Sequence, residues 1–197
     1  MPQDSLICIV DDDSQVRDSL SLILGLKGYD CRTYDSGESF LSSMPKRPAC
    51  LILDLKMADM SGLDLQVALL DGESHFEIIF LTAYADTEVM RSAFIHHAVD
   101  FLEKPVQLER LLRALEIGFS KLEKEVEKVD GQRLLDRLTP RELEVFKALA
   151  EGLNHRTIGE RLGISPRTVE VHKAHVMDKL QLSSLAELLK FSLKYMR

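Results

Sequence analysis

Five polar residues between positions 11 and 104 have the side-chain types needed for phosphoryl chemistry. Asp11 and Asp12 directly follow the apolar stretch LICIV, and Asp54 closes the stretch ACLILD. Thr82 and Lys104 end the stretches EIIFLT and VDFLEK. A carboxylate can accept a phosphoryl group, neighbouring carboxylates can hold Mg²⁺, and a hydroxyl and an ammonium group can stabilise phosphoryl oxygens. Together the five residues indicate a cation-assisted phosphoryl-transfer site with Asp54 as the acceptor.

These residues can meet only if the apolar stretches form one sheet. Short apolar runs alternate with amphipathic segments, which predicts five βα units with helices near 14–27, 37–43, 63–70 and 87–96 and a long helix from about Leu108. Uninterrupted apolar runs such as ACLIL indicate strands that are buried on both faces. We therefore predict an α/β doubly wound, five-stranded parallel sheet with the first strand central. All five strand ends then lie at the edge where such folds bind ligands.

Each of these residues also has an ordinary structural interpretation. An aspartate after a strand is common in turns, and Lys104 before Pro105 could be a loop lysine. Asp13, the third acid of the series, is assigned to the turn or helix start beside Ser14, the candidate N-cap. The combination of residue types at successive strand ends favours the chemical interpretation.

Charge is distributed unevenly along the 197 residues. Residues 1–120 contain 10 basic and 20 acidic side chains, whereas residues 139–197 contain 10 basic and 7 acidic ones, a net charge of +3. Nucleic acid is therefore a possible partner only for the second segment. The three cysteines lack metal-ligand spacing and are predicted to be core residues. No apolar run reaches the roughly 18 residues of a membrane helix, so we expect a cytoplasmic protein with no membrane partner.

A helical segment connects the two parts. Apolar residues recur every seven positions from Leu108 to Val129 while the density of charges increases. We predict a first domain of residues 1–120, a helical linker of residues 121–138 and a second domain of residues 139–197. A short dimerising coiled coil is the alternative, although two companion positions have poor seam residues.

The second domain carries start and stop signals for four helices. Thr139, Pro140 and Glu142 form a capping-box pattern, and Leu138 and Leu143 stand where a hydrophobic staple belongs. The other helices are predicted to start after Asn154, Ser165 and Ser184, with glycines at 152 and 163 in the turns. A small all-α, four-helix domain follows from this pattern.

The second and third of these helices form a helix-turn-helix pattern, whose later helix normally enters the major groove of DNA. On a helical wheel, Val169, Val176 and Leu180 form the inward stripe. Candidate contacts to bases on the opposite face are Arg167, Glu170, Val171 and Ala174. Candidate contacts to phosphates are Arg156, Ser165, Thr168, Lys173 and Lys179.

Two alternatives exist for this domain. A helical bundle that contacts protein is possible because a charge of +3 is modest for a nucleic-acid binder. His172 and His175 could suggest a metal site or a pH switch, but no acidic or cysteine spacing supports this. Both histidines are assigned to packing or to DNA contact.

The first domain carries a family resemblance. IVDDDSQVRDSL, LILDLKMADMSGLDL, IIFLTAYAD and AVDFLEKP, in this order and spacing, resemble the receiver domain of two-component response regulators over about residues 4–120. The resemblance implies a flavodoxin-like fold in which a sensor histidine kinase or a small phosphodonor phosphorylates Asp54. It also implies that Asp11, Asp12, Asp54 and the backbone carbonyl of Lys56 hold Mg²⁺ or Mn²⁺.

The same resemblance implies a conformational switch. Thr82 moves toward the phosphoryl group, and the aromatic Phe101 follows inward and remodels the face of the helix near 87–96 and the fifth strand. The Lys104–Pro105 bond is expected to be cis. In the loop after Asp54, the chain departs from the common receiver pattern, because Met-Ala replaces Met-Pro. Tyr84 and Lys56 occupy positions that tune the hydrolysis of the phosphoryl group in this family, so the phosphoryl lifetime stays open.

LTPRELEVFKALAEGLNHRTIGERLGISPRTVEVHKAHVMDKL is similar to the LuxR-type output domain over residues 138–197, and the whole chain resembles FixJ-like response regulators. This resemblance implies base contacts by Glu170, Val171 and Ala174, a phosphate contact by Lys179 and a dimer contact by the fourth helix. The implied function is transcription control: phosphorylation produces a homodimer that binds double-stranded DNA and works with RNA polymerase. No enzymatic activity is expected beyond phosphotransfer to the receiver and autodephosphorylation.

Two other functions fit parts of the pattern. A Mg²⁺-dependent phosphohydrolase also uses an aspartyl phosphate, but it generally has a second acid two residues after the nucleophile. This chain has Lys56 there, which is a poor general acid at neutral pH. The second alternative is a constitutive DNA-binding protein whose receiver does not switch. The five polar residues at the strand ends would then have no function in phosphoryl chemistry.

Overall fold

The fold was analysed in a computed structural model that describes residues 5–58, 60–70, 75–83 and 98–196. The chain divides into two compact units, Met1–Glu125 and Val126–Arg197. Tyr84 and the helix predicted near 87–96 lie outside the described residues. None of the helices in the described ranges combines the length and the apolar character needed to span a bilayer.

The first unit is built on a five-stranded parallel sheet. Its strands are β1 Leu6–Val10, β2 Asp30–Tyr34, β3 Ala49–Asp54, β4 Phe76–Thr82 and β5 Asp100–Glu103, in the order β2-β1-β3-β4-β5. The prediction that β1 is central was wrong, because β2 is added on one side of β1 and all later strands on the other, which makes β3 the middle strand. The strand order reverses between β1 and β3, and the crevice at such a switch point is the usual ligand site.

Helices cover both faces of this sheet, as the continuous apolar strands predicted. The described helices are α1 Ser14–Leu26, α2 Gly37–Ser42, α3 Gly62–Leu70 and α4 Leu108–Leu135. Alternate residues of each strand point to opposite faces. Leu51 and Leu53 therefore pack in one buried cluster with residues of α2 and α3, whereas Cys50 and Ile52 pack in the other with residues of α1 and α4.

Two local predictions have a clear outcome in this unit. The N-cap of α1 is Asp13, not Ser14: the Asp13 side chain accepts a hydrogen bond from the Gln15 amide at 2.8 Å. Asp13 has an extended backbone (φ −81°, ψ 111°), whereas Ser14 is already the first helical residue.

The cysteines are core or partly buried residues with free thiols, as predicted, since Cys8 and Cys50 are buried and Cys31 is half-buried.

The last helix of the first unit, α4, continues into the second unit. Leu115 and Leu122 are buried in the first unit's core, whereas Leu135 and Leu138 are buried in the core of the second. Two of the residues at seven-residue spacing are therefore already packed inside their own unit. This weakens the coiled-coil alternative, because a coiled-coil seam needs these side chains at the surface.

The second unit contains four further helices: α5 Pro140–Ala150, α6 His155–Leu162, α7 Pro166–Lys179 and α8 Leu185–Tyr195. The inward stripe predicted for the third of these is confirmed, because Val169, Val176 and Leu180 are all buried. They pack with Val145, Phe146, Ile158 and Leu188 in one apolar core.

Capping residues begin these helices where the sequence predicts them. Thr139 and Glu142 form the expected capping box on α5: the Glu142 amide donates to Thr139 Oγ1 at 3.3 Å, and the Thr139 amide donates to Glu142 Oε2 at 2.8 Å. Ser165 caps α7 by accepting from the Thr168 amide at 3.0 Å. Ser184 caps α8 in the same way.

Asn154 provides a test of this capping. Its Oδ1 accepts from the amide and the hydroxyl of Thr157, at 3.0 and 3.2 Å, in the first turn of α6. We expect Asn154→Ala to lower the free energy of unfolding by about 1 kcal/mol, because the helix loses its N-cap acceptor. Urea unfolding followed by circular dichroism measures this loss. Asn154→Asp retains the acceptor and should stay close to wild type; equal losses in the two variants would contradict the capping role.

Candidate functional site

The five residues singled out in the sequence lie at the carboxyl ends of neighbouring strands. Asp11 and Asp12 follow β1, Asp54 ends β3, Thr82 ends β4, and Lys104 follows β5. Since β1, β3, β4 and β5 are adjacent in this order, their ends form a continuous row at one edge of the sheet. The convergence predicted from the strand pattern is therefore present.

Three carboxylates form a close cluster at this edge. One oxygen each from Asp11, Asp12 and Asp54 lies within 4.8 Å of the others. Asp11 and Asp54 are buried and Asp12 is exposed, so the cluster is open to solvent on the Asp12 side. Within the described ranges, no other group of three or more histidine, cysteine, aspartate or glutamate side chains could hold a metal ion.

Lys104 provides the positive charge that this cluster needs. Its Nζ lies 2.8 Å from Asp11 Oδ2 and 3.1 Å from Asp54 Oδ2. The Lys104 amide donates to the carbonyl of Thr82 at 2.8 Å, which attaches the loop after β5 to the end of β4. The Lys104–Pro105 bond is cis, as the family resemblance implied. The ammonium group is therefore held between the two buried carboxylates.

The buried position changes the proton affinity of two of these groups. Burial raises the pKa of Asp54 above its ordinary value, and the hydrogen bond from Lys104 only partly opposes this effect. Burial alone would lower the pKa of Lys104, but hydrogen bonds to Asp11 and Asp54 raise it above its ordinary value. Lys104 therefore stays charged beside the carboxylate that is the candidate nucleophile.

The cluster suits a magnesium ion. Carboxylate oxygens are the ligands that Mg²⁺ prefers, and a site with few protein ligands leaves room for water and for phosphate oxygens. Lys56, whose backbone carbonyl is a predicted ligand, lies two residues after Asp54, and its amide donates to Asp54 Oδ1 at 3.4 Å. The donor set present in the chain thus fits the predicted Mg²⁺.

The two predicted switch residues are buried next to this site. Thr82 is 4% exposed and Phe101 is 6% exposed. The ring of Phe101 stacks on Phe80, with 4.9 Å between the ring centroids. Phe101 therefore occupies an inward position in this structure, on the sheet face that is covered by α2 and α3.

Sequence reasoning missed two residues that shape the site. Arg17, one turn into α1, donates from its guanidinium group to the carbonyl of Asp11 at 2.6 Å. Gly62 begins α3, and a Cβ atom at this position would lie 2.4 Å from the carbonyl oxygen of Asp54. Both residues stand in the quoted motifs, but only the fold shows which atoms they approach.

The predicted base-contacting residues share one face of α7. Arg167, Glu170, Val171 and Ala174 are all exposed, and Val171 is 50% exposed although it is apolar. Val169 and Val176 on the opposite face are fully buried. The helix therefore presents the mixed polar and small-residue surface that suits close approach to base edges.

The predicted phosphate-contacting residues differ in their surroundings. Arg156 pairs with Glu160 at 3.1 Å on the surface of α6, and the hydroxyls of Ser165 and Thr168 lie 2.7 Å apart at the start of α7. Lys173 is half-buried and has no ion-pair partner among the described residues. Lys179 is different from all of these, because its Nζ lies 2.6 Å from Oε2 of the buried Glu142.

Glu142 is the most strongly perturbed carboxyl in the second unit. The hydrogen bond from Lys179 lowers its pKa to about 2, burial opposes the shift, and hydrogen bonds from Thr139 assist it. His175 Nδ1 lies 3.6 Å from the second carboxylate oxygen. The charged form of Glu142 is thus stabilised by the folded domain.

This pKa predicts how stability depends on pH. The ordinary pKa of Glu142 is 4.5 and the folded value is about 2, so its contribution is complete above pH 4.5 and is lost as the pH falls toward 2. At pH 7 we expect Glu142→Gln to lower the free energy of unfolding by about 2 kcal/mol, allowing for solvent screening. The difference from wild type should shrink below pH 4.5.

Urea unfolding of both chains between pH 7 and pH 3 provides the measurement. Glu144→Gln is the control, since the Glu144 side chain is 51% exposed and its pair with Arg141 lies at the surface. This control should show no comparable difference at any pH. A deficit for Glu142→Gln that stays constant through the acid range would contradict the assignment.

Comparison with known families gives one match in each part of the chain. Residues 7–116 match the family described as response regulator receiver domain, and residues 136–192 match the bacterial regulatory proteins of the luxR family. The chain belongs to the response regulator family.

Full-length relatives of this response regulator share both domains. It is 33% identical over 193 residues to the transcriptional regulatory protein FixJ of Bradyrhizobium diazoefficiens, covering 95% of this chain and 94% of that protein. It is 37% identical over 195 residues to FixJ of Rhizobium meliloti, covering 96% of each protein. The solved structure of the response regulator StyR aligns with a TM-score of 0.75 and 33% identity, covering 98% of this chain and all of that one.

The response regulator therefore combines a receiver domain with a LuxR-type output domain for two-component control of transcription. These domains imply a kinase partner and DNA binding. These relatives are named as transcriptional regulatory proteins, which argues against the phosphohydrolase alternative. The flavodoxin-like order of the sheet and the all-α second unit agree with this domain pair.

Proposed function

We propose that this response regulator accepts a phosphoryl group on Asp54 and that phosphorylation produces a dimer which binds a specific operator. A sensor histidine kinase or a small phosphodonor would supply the phosphoryl group. The observation that carries the proposal is the cluster of Asp11, Asp12 and Asp54 at the switch point of the sheet, in which the Lys104 ammonium group pairs with Asp11 and Asp54.

The chemistry follows from the position of Asp54. One carboxylate oxygen attacks the phosphorus atom of the donor, a new bond forms between that oxygen and phosphorus, and the bond from phosphorus to the donor breaks. The leaving group departs with the electron pair of the broken bond. Lys104 lies 3.1 Å from Asp54 Oδ2 and can interact with an oxygen of the transferred group. The receiver domain thereby promotes its own phosphorylation. Attack by water on the same phosphorus atom would break the bond to Asp54, regenerate the carboxylate and release inorganic phosphate.

Asp11, Asp12 and Asp54, with the Lys56 carbonyl, are the residues that would hold Mg²⁺ or Mn²⁺. When bound, such a cation would neutralise charge on the phosphoryl oxygens and on the carboxylates, which would otherwise repel the donor. Lys104 already pairs with two of the acids, so this chain supplies part of the same neutralisation. The exposed position of Asp12 leaves the cluster accessible to a donor.

A phosphoryl group can shift the receiver between two conformations only if it makes stronger contacts in one of them than in the other. Thr82 ends β4, the strand beside Asp54, and Lys104 Nζ lies 3.1 Å from Asp54 Oδ2, so both can bind a phosphoryl group better in one conformation than in the other. Phe101 lies beside them in the sheet core and would report the change. A small difference in these contacts can shift a pre-existing equilibrium toward the dimer.

In the output domain, we propose that α7 enters the major groove of DNA. Arg167, Glu170, Val171 and Ala174 would contact base edges. Arg156, Ser165, Thr168 and Lys173 would contact the phosphate backbone and set the register of the helix. Helix α8 would form the dimer contact, so that two half-sites are bound together. The response regulator would act in the cytoplasm, with RNA polymerase as a further partner.

Selection from random DNA with phosphorylated protein tests this proposal. The full chain is incubated with Mg²⁺ and acetyl phosphate, and bound duplexes are enriched and sequenced. We expect an enriched operator with two related half-sites, whose affinity rises with phosphorylation together with a shift to dimer in sedimentation equilibrium. An operator affinity that does not change on phosphorylation would instead support a constitutive DNA-binding protein.

A further inference from the structure

An ion pair between a buried carboxylate and a half-buried lysine joins the start of α5 to the end of α7. Lys179, the last residue of α7, donates to Glu142 in the first turn of α5 at 2.6 Å, across 37 positions of the chain. Glu142 is 4% exposed, and the same carboxylate oxygen accepts the Thr139 amide at 2.8 Å. One carboxylate therefore caps α5 and holds the end of the candidate recognition helix.

Both charges lie where the helices favour them. A carboxylate is stabilised near the N-terminus of a helix, and an ammonium group near the C-terminus. Hydrogen bonds between charged groups are also shorter and stronger than those between neutral groups. Since the side chain of Glu142 is only 6% exposed, removal of Lys179 takes the cation away from a buried carboxylate, which is costly. The pair is thus well placed to fix α7 against α5.

The other cations near the DNA-facing surface are not held in this way. Arg167 and Lys173, both on α7, have no ion-pair partner in the parts of the chain that the structure describes. Arg156 pairs with Glu160, but these side chains are 85% and 66% exposed, and such surface pairs are weak. Arg167, Lys173 and Arg156 can therefore exchange solvent counterions for DNA phosphates at little cost.

We propose that Lys179 is a positioning residue, which sets the orientation of α7 through Glu142 and does not neutralise a DNA phosphate. The inference rests on the proposed function, because it assumes that α7 enters the groove. It replaces the assignment of Lys179 to a phosphate contact that sequence resemblance implied. Glu142 neutralises the charge of Lys179 inside the domain. DNA binding therefore releases no counterion from Lys179.

The dependence of DNA affinity on salt distinguishes the two roles. Each phosphate contact adds about 0.9 to the slope of log K against log salt concentration. We compare Lys179→Met with Lys173→Met, a matched removal of one lysine from the same helix, in the full chain treated with Mg²⁺ and acetyl phosphate. Affinities are measured for two probes: the operator duplex selected with wild type and a duplex of random sequence.

We expect Lys173→Met to reduce the slope by about 0.9 and to weaken binding to both duplexes alike. Lys179→Met should leave the slope unchanged and lower the ratio of operator to random-duplex affinity about tenfold, because a misplaced helix loses base contacts. Lys179→Arg retains the cation and should restore the ratio. A slope that falls by about 0.9 with an unchanged ratio in Lys179→Met would overturn the proposal.

Glu142→Gln provides a second route if Lys179→Met does not fold, which circular dichroism reveals. Glutamine keeps the shape and an acceptor for the Thr139 amide but removes the charge that holds Lys179. We expect the same fall in the affinity ratio, and no further fall in the double variant, since both changes break one interaction. An unchanged ratio in Glu142→Gln would refute the positioning role. A wild-type chain that does not distinguish the two duplexes would refute the proposed function as well.

Discussion

Incubation with Mg²⁺ and acetyl phosphate is expected to add one phosphoryl group to the wild-type chain and none to the Asp54→Asn variant. Asparagine has nearly the same shape as aspartate, but its amide lacks the negative charge of the carboxylate nucleophile. Asp54 is also the member of the carboxylate cluster at the end of the middle strand, so a donor that enters from the solvent side reaches it beside Lys104. Intact-mass measurement shows the result directly.

Asp13→Asn is the matched control for this experiment. Asp13 belongs to the same series of three aspartates, but it is exposed and caps α1 through the Gln15 amide. Asparagine is an N-cap as good as aspartate, so this variant should fold and gain the phosphoryl group as wild type does. An equal mass gain in Asp54→Asn and in wild type would remove Asp54 as the acceptor, and with it the mechanism proposed above.

Gly62→Ala is expected to damage the same site without touching a charged group. A methyl group at this position would meet the carbonyl oxygen of Asp54 at 2.4 Å and the Cα atom of Leu55 at 3.1 Å. Backbone atoms cannot rotate away as the end of a side chain can, so the loop between β3 and α3 must shift. We expect a loss of about 3 kcal/mol in the free energy of unfolding. Phosphorylation should slow by about tenfold or more, because Asp54 moves.

Gly25→Ala is the control for the general effect of replacing a glycine with alanine. Gly25 lies in the last turn of α1, and a Cβ atom there would meet nothing within 4 Å. Alanine is a better helix former than glycine, so this variant should be more stable than wild type by up to about 1 kcal/mol. Its phosphorylation rate should not change. If Gly62→Ala were as stable and as rapidly phosphorylated as Gly25→Ala, the close approach of Gly62 to Asp54 would have no role in the site.

Positions that depend on short-range signals were predicted correctly. The capping box at Thr139, the caps Asn154 and Ser165, and the glycine turn at 163 all stand where the sequence places them. Each signal acts between residues a few positions apart, so it is present before the chain packs. The choice between Asp13 and Ser14 as a cap was wrong because both neighbours are good cap residues and only the backbone conformation separates them.

The meeting of Asp11, Asp12, Asp54, Thr82 and Lys104 could also be predicted, because the carboxyl ends of parallel strands share one edge of the sheet whatever the strand order. The order itself could not. Each continuous apolar strand is compatible with any interior place in the sheet, and in the folded domain β3 is the middle strand. The tertiary structure thus decided that the acids of β1 and β3 border the switch point.

The amino-acid sequence by itself determined the residue types at the strand ends, the helix boundaries and the inward stripe of α7, since periodicity and capping are local properties. Only the tertiary structure decided which charges are paired. Lys179 meets Glu142 across 37 positions, and Arg17 reaches the carbonyl of Asp11, because folded elements bring these groups together. No spacing along the chain encodes such pairs: the partner of a charge depends on which side chains are buried with it.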